Sequence, residues 1–314
     1  MGSISAGLIP RRRRAIAFVA VVTAFVAAVA AWAASPPEGP QLETMALATS
    51  DFARGAAVAQ EGFQPAPSPI VASFERDFRS GARLNGQRLL GAYSTVSLVE
   101  DAGTALVGYN AILGDFSTAV GRRSIAKIIK ATVARSTRGQ LRVKTVTFGR
   151  VVLVQAAQGA FRETIRLRTN HGTLDVGVVA IVLDRALGVV ELDTYPRTHI
   201  AGATEQVAAR KLAQHFQTAF QIRNVTSPAI AGTPHPGATL TADRGRWAGG
   251  PSSFTYQWND CDATGANCAP ISGAVAPTYV PGTADAGMRI TVTVTATNSV
   301  SSKPVTSAPT NPVA

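Results

Sequence analysis

The chain has 314 residues, with 30 Lys and Arg against 19 Asp and Glu, a formal net charge of +11. That length allows two ordinary domains. The sequence contains no glycine-rich phosphate loop, nucleophile elbow or zinc-type Cys/His cluster, which excludes the enzyme classes built on those motifs. Arg outnumbers Lys by 25 to 5 and Ala and Val are abundant, a usage that looks like a GC-rich bacterial genome and carries no chemistry of its own.

Residues 1–34 set the compartment. Arg11, Arg12, Arg13 and Arg14 precede an apolar run from Ala15 to Ala34. About 20 apolar residues span roughly 30 Å as a helix, enough to cross the hydrocarbon core of a bilayer. The arginines hold the N-terminus inside, so everything after Ala34 is expected outside. The segment reads either as a cleaved signal peptide, for which Ala31-Trp32-Ala33 supplies a small-residue exit, or as a retained transmembrane anchor, which the length of the run favours. Arg13-Arg14 also hints at a twin-arginine route. No Cys follows the run, which excludes a lipoprotein anchor. Residues 35–40, Ser-Pro-Pro-Glu-Gly-Pro, read as a stiff spacer. Without the four arginines, +11 falls to +7 for the exported part.

The first exported domain is expected over 41–223. Residues 64–69, Gln-Pro-Ala-Pro-Ser-Pro, read as a loop. The spacing of Val71, Phe74 and Phe78 predicts a helix over 70–83. A strand is expected over 89–99, then helices over 101–113 and 117–135, the second with Ile125, Ile128, Ile129 and Val133 on one face. From Leu141 the pattern alternates: strands are expected over 141–148, 151–155, 161–168, 174–183 and 189–195, with a hairpin at Asp184–Gly188. A closing helix spans about 204–223, with Val207, Ala208, Leu212, Phe216 and Ala219 as its buried stripe and Thr204 as N-cap. Helices, antiparallel strands and a closing helix make an α+β sandwich, helices packed on an antiparallel sheet. Its element order is similar to that of exported actinobacterial lipoprotein and kinase-sensor ectodomains that bind apolar or envelope ligands. The likeness is one of order alone and transfers no residues.

Residues 224–314 change to a Thr/Ser/Gly/Pro-rich composition. Phe254, Tyr256 and Trp258 alternate with Thr255 and Gln257. Ile290, Val292, Val294 and Ala296 alternate with Arg289, Thr291, Thr293 and Thr295. With Gly237–Trp247, Ile271–Ala274, Thr278-Tyr279 and Asp285-Ala-Gly287 in this order, the segment resembles the bacterial immunoglobulin-like module of secreted actinobacterial proteins. The resemblance implies an all-β immunoglobulin-like sandwich. Cys261 and Cys268 are expected to pair in an oxidising exterior, clipping a local hairpin instead of crossing between sheets.

Candidate chemistry is sparse. His171, His199, His215 and His235 are scattered, and the His171–Asp175 spacing does not align two metal ligands on a turn and strand. Glu191 and Asp193 share a strand face and read as solvated carboxylates in preference to an acid–base pair. Asp184 and Arg185 read as hairpin chemistry, and His215 as a helix-edge residue. The unusual charge feature is a stretch without Asp or Glu, from Ser117 to Arg162, that carries Arg122, Arg123, Lys127, Lys130, Arg135, Arg138, Arg142, Lys144, Arg150 and Arg162. The first eight form a candidate anion-contact patch for an anionic envelope component or cell-wall polymer. Nucleic acid is a weak choice, since few aromatics interleave. No cofactor is expected.

The expected function is that of an exported, non-enzymatic cell-envelope or secreted protein with a binding or surface-display role. The alternatives are a ligand-sensing regulatory ectodomain and an extracellular hydrolase with an unrecognised site in the α+β domain. An apolar-walled cavity in residues 41–223 would favour the sensor, and a flat basic face would favour polymer binding.

Overall fold

A computed structural model of the chain describes residues 39–53, 56–65 and 68–314. The Arg11–Arg14 block, the apolar run and spacer residues 35–38 lie outside these. Among the described residues no helix is long and apolar enough to cross a membrane. Two compact units are present, 42–217 and 218–314, with residues 39–41 counted with the second. The division falls about five residues before the expected boundary at 223, within the last turn of the closing helix, which ends at Ala219.

The first unit is α+β. Helix α1 (Leu42–Met45) precedes an antiparallel sheet of β1 (Val58–Gln64), β2 (Ile70–Phe78), β5 (Gly91–Val99), β6 (Val143–Phe148), β7 (Val152–Leu153), β8 (Gly159–Thr169), β9 (Gly172–Leu183) and β10 (Ala186–Asp193). Their spatial order is β1-β2-β5-β10-β9-β8-β6, with β7 also on β8. A small hairpin, β3 (Arg83–Leu84) with β4 (Gln87–Arg88), lies between β2 and β5. The strand expectations from 89 to 195 hold to within a few residues, and β9 and β10 are joined by the Asp184–Arg185 turn, with Asp184 at φ +53°.

The expected helix over 70–83 is instead strand β2. Phe74 and Phe78 are four apart, a spacing that fits both a helical and a period-two pattern. The residues between decide it: Ala72, Phe74, Arg76 and Phe78 fall on one face, and Ser73, Glu75 and Asp77 on the other. Strand β1, over a segment to which the sequence assigned no element, pairs with β2 as an edge.

Each sheet face carries helices. After β5 come α2 (Ala102–Ser117) and α3 (Ala119–Ser136), capped by Asp101, which accepts from the Thr104 N–H, and by Thr118, which accepts from the Gly121 N–H. Tyr109, Phe116, Ile125, Ile129 and Val133 from this pair pack with Phe161, Ile165, Leu167, Val176, Val178, Ala180 and Val182 of the sheet. Ile128 is half-buried. Helix α4 (Gly202–Ala219) covers the opposite face. Its Leu212 and Phe216 reach Gly188 on β10, where a β-carbon would stand 2.7 Å from the Phe216 ring. Thr204 is not the N-cap of α4: it is buried in the first turn, and its hydroxyl donates to Gln87 Oε1.

The second unit is all-β. Its sheets are β11 (Arg223–Thr226) with β14 (Arg246–Ala248); β12 (Ala229–Ala231), β13 (Leu240–Asp243) and β17 (Thr278–Tyr279); and β16 (Ala269–Pro270), β15 (Ser253–Cys261), β18 (Arg289–Thr297) and β19 (Ser302–Thr306). Trp247, Trp258, Leu240, Ile290, Val292, Val294 and Ala296 form one core. The Trp258 indole donates to Ala276 O at 2.9 Å and stacks on Tyr279. Tyr279 in turn donates to Asp285 Oδ2 at 2.7 Å, which also accepts from the Gly282 N–H. Cys261 and Cys268 are bonded to each other, joining the end of β15 to the loop before β16.

Closing so short a loop stabilises by about 2–3 kcal/mol in the chain-entropy account. The Cys261→Ser, Cys268→Ser double variant should lose about that much in the tryptophan-monitored unfolding transition and leave the helical circular-dichroism transition of the first unit in place. An unchanged tryptophan transition would count against the clip.

Candidate functional site

A cavity of about 510 Å³ lies in the first unit, between the α2–α3 pair and the sheet. Its wall is mainly apolar: Ile70, Val99, Leu187 and Val189 from the strands, and Ile112, Phe116, Ile125 and Ile128 from the helices. Its polar members include Ser73, Glu75, Thr95, Ser97, Ser124 and Asp115, and no Lys, Arg or His lines it among the described residues.

The sheet register shows where this wall leads. Partners across antiparallel strands share a face. Ser73, Ser97 and Leu187 form one cross-strand row, and Glu75, Thr95 and Val189 the next. Both rows line the cavity. The third row is Asp77, Tyr93, Glu191, Val178 and Glu163, and the fourth holds Gly91, Asp193, Val176 and Ile165. Asp77 and Glu191 therefore lie one row, about 7 Å, past the cavity wall on the same face.

Glu191 and Asp193 do share a face, as the sequence indicates, but the face is not solvated. They are 5% and 4% exposed, and Asp77 is 3% exposed. The cause is topological: β10 is a central strand, paired to β5 and β9 along its length. Asp77 Oδ1, Glu191 Oε1 and Asp193 Oδ1 have no hydrogen-bond partner. Burial, then the neighbouring Glu75, pushes Asp77 up to about 8. Burial pushes Asp193 up to about 7. Glu191 is raised well above the usual carboxylate range by burial, reinforced by Asp193, Asp77 and Glu75. Glu75 is raised by burial, and Tyr93 by burial and the same four carboxylates. Gly91 makes room for Tyr93: a β-carbon there would sit 2.5 Å from the phenol oxygen.

Three other buried acids of the unit have cations. Glu163 accepts from Arg122 at 3.0 Å, Glu205 from Arg162 at 2.8 Å, and Asp175 from Arg166 and His199. Burial still lifts Glu163 to about 7 against the pull of Arg122.

These pairings alter the sequence-derived patch. Arg122 turns inward, where Phe116 O, Gly149 O and Glu163 take its guanidinium and Phe148 lies under it. Arg162 is likewise taken by Glu205, so the acid missing from the sequence window is supplied from beyond it. Arg123, Lys127 and Lys130 are exposed on α3, as are Arg135, Arg138, Arg142, Lys144 and Arg150 after them. His171 is exposed and does not meet Asp175. His215 ties α4 to the N-terminal segment, through Ala46 O at 3.0 Å and Asp51 at 3.4 Å, and Asp51 raises its pKa. Among the described residues no group of three or more His, Cys, Asp or Glu is arranged to hold a metal.

No family model matches the chain. No curated protein matches it either. Among solved structures, the extracellular domain of PknH from Mycobacterium tuberculosis is similar at 11% identity, over 55% of this chain and 94% of that one, with a TM-score of 0.36. At that score the likeness carries no argument about function.

The buried carboxylates link stability to pH. Asp77, Asp193 and Glu163 bind protons more tightly folded than unfolded, so their contribution is full below about pH 4 and is lost as pH rises through about 7 to 8. The helical unfolding midpoint in urea should therefore fall between about pH 5 and pH 8, and Asp77→Asn should flatten the slope. A midpoint that rises over this window would contradict the assignment.

Proposed function

We propose that this chain is an exported, non-enzymatic binding protein whose first unit takes a small, largely apolar ligand in the cavity between α2–α3 and the sheet. The observation that carries the reading is the cavity itself: about 510 Å³, walled by strand and helix side chains. Ligand sites commonly measure about 300–1,000 Å³ and combine apolar walls with a few polar groups. Of the sequence-derived alternatives, this favours the ligand-sensing ectodomain over surface display alone. Export rests on the Arg11–Arg14 block and the apolar run. The second unit is read as an immunoglobulin-like module, supported by its antiparallel sheets around Trp247 and Trp258.

A second reading attaches to α3. Arg123, Lys127 and Lys130 are spaced by four and three residues and exposed, one basic face of the helix. That face suits an anionic envelope surface or wall polymer. Binding there must weaken with salt, since exposed charges are screened over about 8 Å at physiological ionic strength. Replacing the three by Gln should abolish the difference in sedimentation between anionic and neutral liposomes; salt-independent binding would remove this reading.

The cavity is tested with a neutral apolar dye, N-phenylnaphthylamine, titrated into the full exported chain. Saturable fluorescence enhancement is expected. Thr95→Phe, which fills the space from β5, should weaken it about tenfold or more, a loss of about 1.4 kcal/mol. Thr95→Val should retain it. Equal binding by wild type and Thr95→Phe would place the dye elsewhere and defeat the reading.

A further inference from the structure

We propose that the acidic rows are the head-group end of the cavity, and that the ligand is an amphiphile with a cationic head, an amine or quaternary ammonium. This rests on the cavity reading and specifies it.

Three observations carry it. First, the cavity wall holds Glu75 and Asp115 and, among the described residues, no basic side chain, in a chain whose net charge is +11. Second, the face continues from Glu75 directly to Asp77 and Glu191, with Asp193 one row further. Third, those last three are more than nine-tenths buried, each with a carboxylate oxygen that has no hydrogen-bond partner.

Buried carboxylates are costly unless paired. The same unit gives three of its other buried acids a cation, Glu163 with Arg122 through Oε1, Glu205 with Arg162 and Asp175 with Arg166. The cluster at β2 and β10 is left with acids alone. Arg122 cannot serve it: its guanidinium is committed to Glu163 and two backbone carbonyls, and Val178 separates Glu163 from Glu191 in the row. A metal ion is a poor occupant, since no metal-ligating group is assembled among the described residues. An organic cation needs no fixed coordination number. Its charge would rest against Glu75, with Asp77 one row behind, while its tail lies along Val189, Leu187 and Ile112.

The proposal has a proton signature. The groups facing the head are Glu75 and Asp77 from β2, Tyr93 from β5, Glu191 and Asp193 from β10, Glu163 with Arg122 beside the row, and Asp115 from α2; β9 adds only Val176 and Val178. Without ligand, burial raises Asp77 to about 8 and Asp193 to about 7, and lifts Glu191 well above the usual carboxylate range. A bound cation favours their ionised forms, so binding releases protons and tightens as pH rises.

The test uses the full exported chain and decyl amphiphiles below their micelle concentrations, competing with the neutral dye. Decyltrimethylammonium should bind about tenfold tighter than decanol at about pH 8, as one charge-assisted contact allows. The advantage should shrink toward pH 5. Calorimetry in buffers of different ionisation heat should show proton release with the ammonium and none with decanol. The Glu75→Gln, Asp77→Asn double variant should bring the two affinities close to each other. Decanoate, which the overall positive charge attracts, should bind no better than decanol. If the dye and decanol bind but the ammonium shows no preference and releases no protons, the head-group inference falls and the cavity reading stands. Preference for decyl maltoside over the ammonium overturns it in favour of a polyol head. If neither dye nor any decyl compound binds, the cavity reading itself has failed.

Discussion

Strand β10 is hydrogen-bonded on both sides, to β5 and to β9, and its register decides what each face of the sheet carries. Side chains alternate with a period of two, so a slip of one residue would exchange the faces. In the observed register Gly188, Val190 and Leu192 face the side covered by α4, and Leu187, Val189, Glu191 and Asp193 face the α2–α3 side. The turn Asp184–Arg185 and the seating of Phe216 on Gly188 pin that choice. The cavity, its apolar wall and the carboxylates beyond it all follow.

The unit treats buried negative charge in two ways. Where α3 and α4 pass over the sheet, an arginine meets each of Glu163 and Glu205, and the cost of burial is offset by a charge-assisted bond. At β2 and β10 burial is met by protonation instead, with pKa values pushed toward or above neutrality. Strongly shifted groups are enriched at functional sites, where burial and like charges tune them. The second unit repeats the acid pairing on a smaller scale. Asp260 is raised to about 6 by burial and by Asp285, whose carboxylate anchors Tyr279 under Trp258. The Asp285-Ala-Gly287 turn thus has a packing role: it fixes the aromatic pair at the centre of that core.

Much of the outline was legible in the sequence because it is local. The alternation of Ile290, Val292, Val294 and Ala296, the Asp184–Arg185 turn and the stripe of Leu212 and Phe216 each depend on residues close in sequence, and the structure places all three as their periods require. Strand β2 is not legible locally because Phe74 and Phe78 satisfy both periods, and only its pairing with β5 and β1 selects the extended form. The basic stretch looks uniform in the sequence because Glu163, which takes Arg122, lies just outside it, and Glu205, which takes Arg162, lies 43 residues from that arginine.

The sequence by itself determined the basic and apolar N-terminal segment, the α+β order followed by an all-β segment, and the two cysteines seven apart. Those features are set by composition and short-range spacing. Tertiary structure alone decided that Glu191 and Asp193 are buried, that Asp77 and Tyr93 stand beside them, and that Glu75 lines an apolar cavity on the same face. Asp77 and Glu191 are more than a hundred residues apart, and nothing local to either signals the other. Their meeting is a consequence of strand order, which long-range pairing fixes, and strand order is what turns scattered acids into a candidate site.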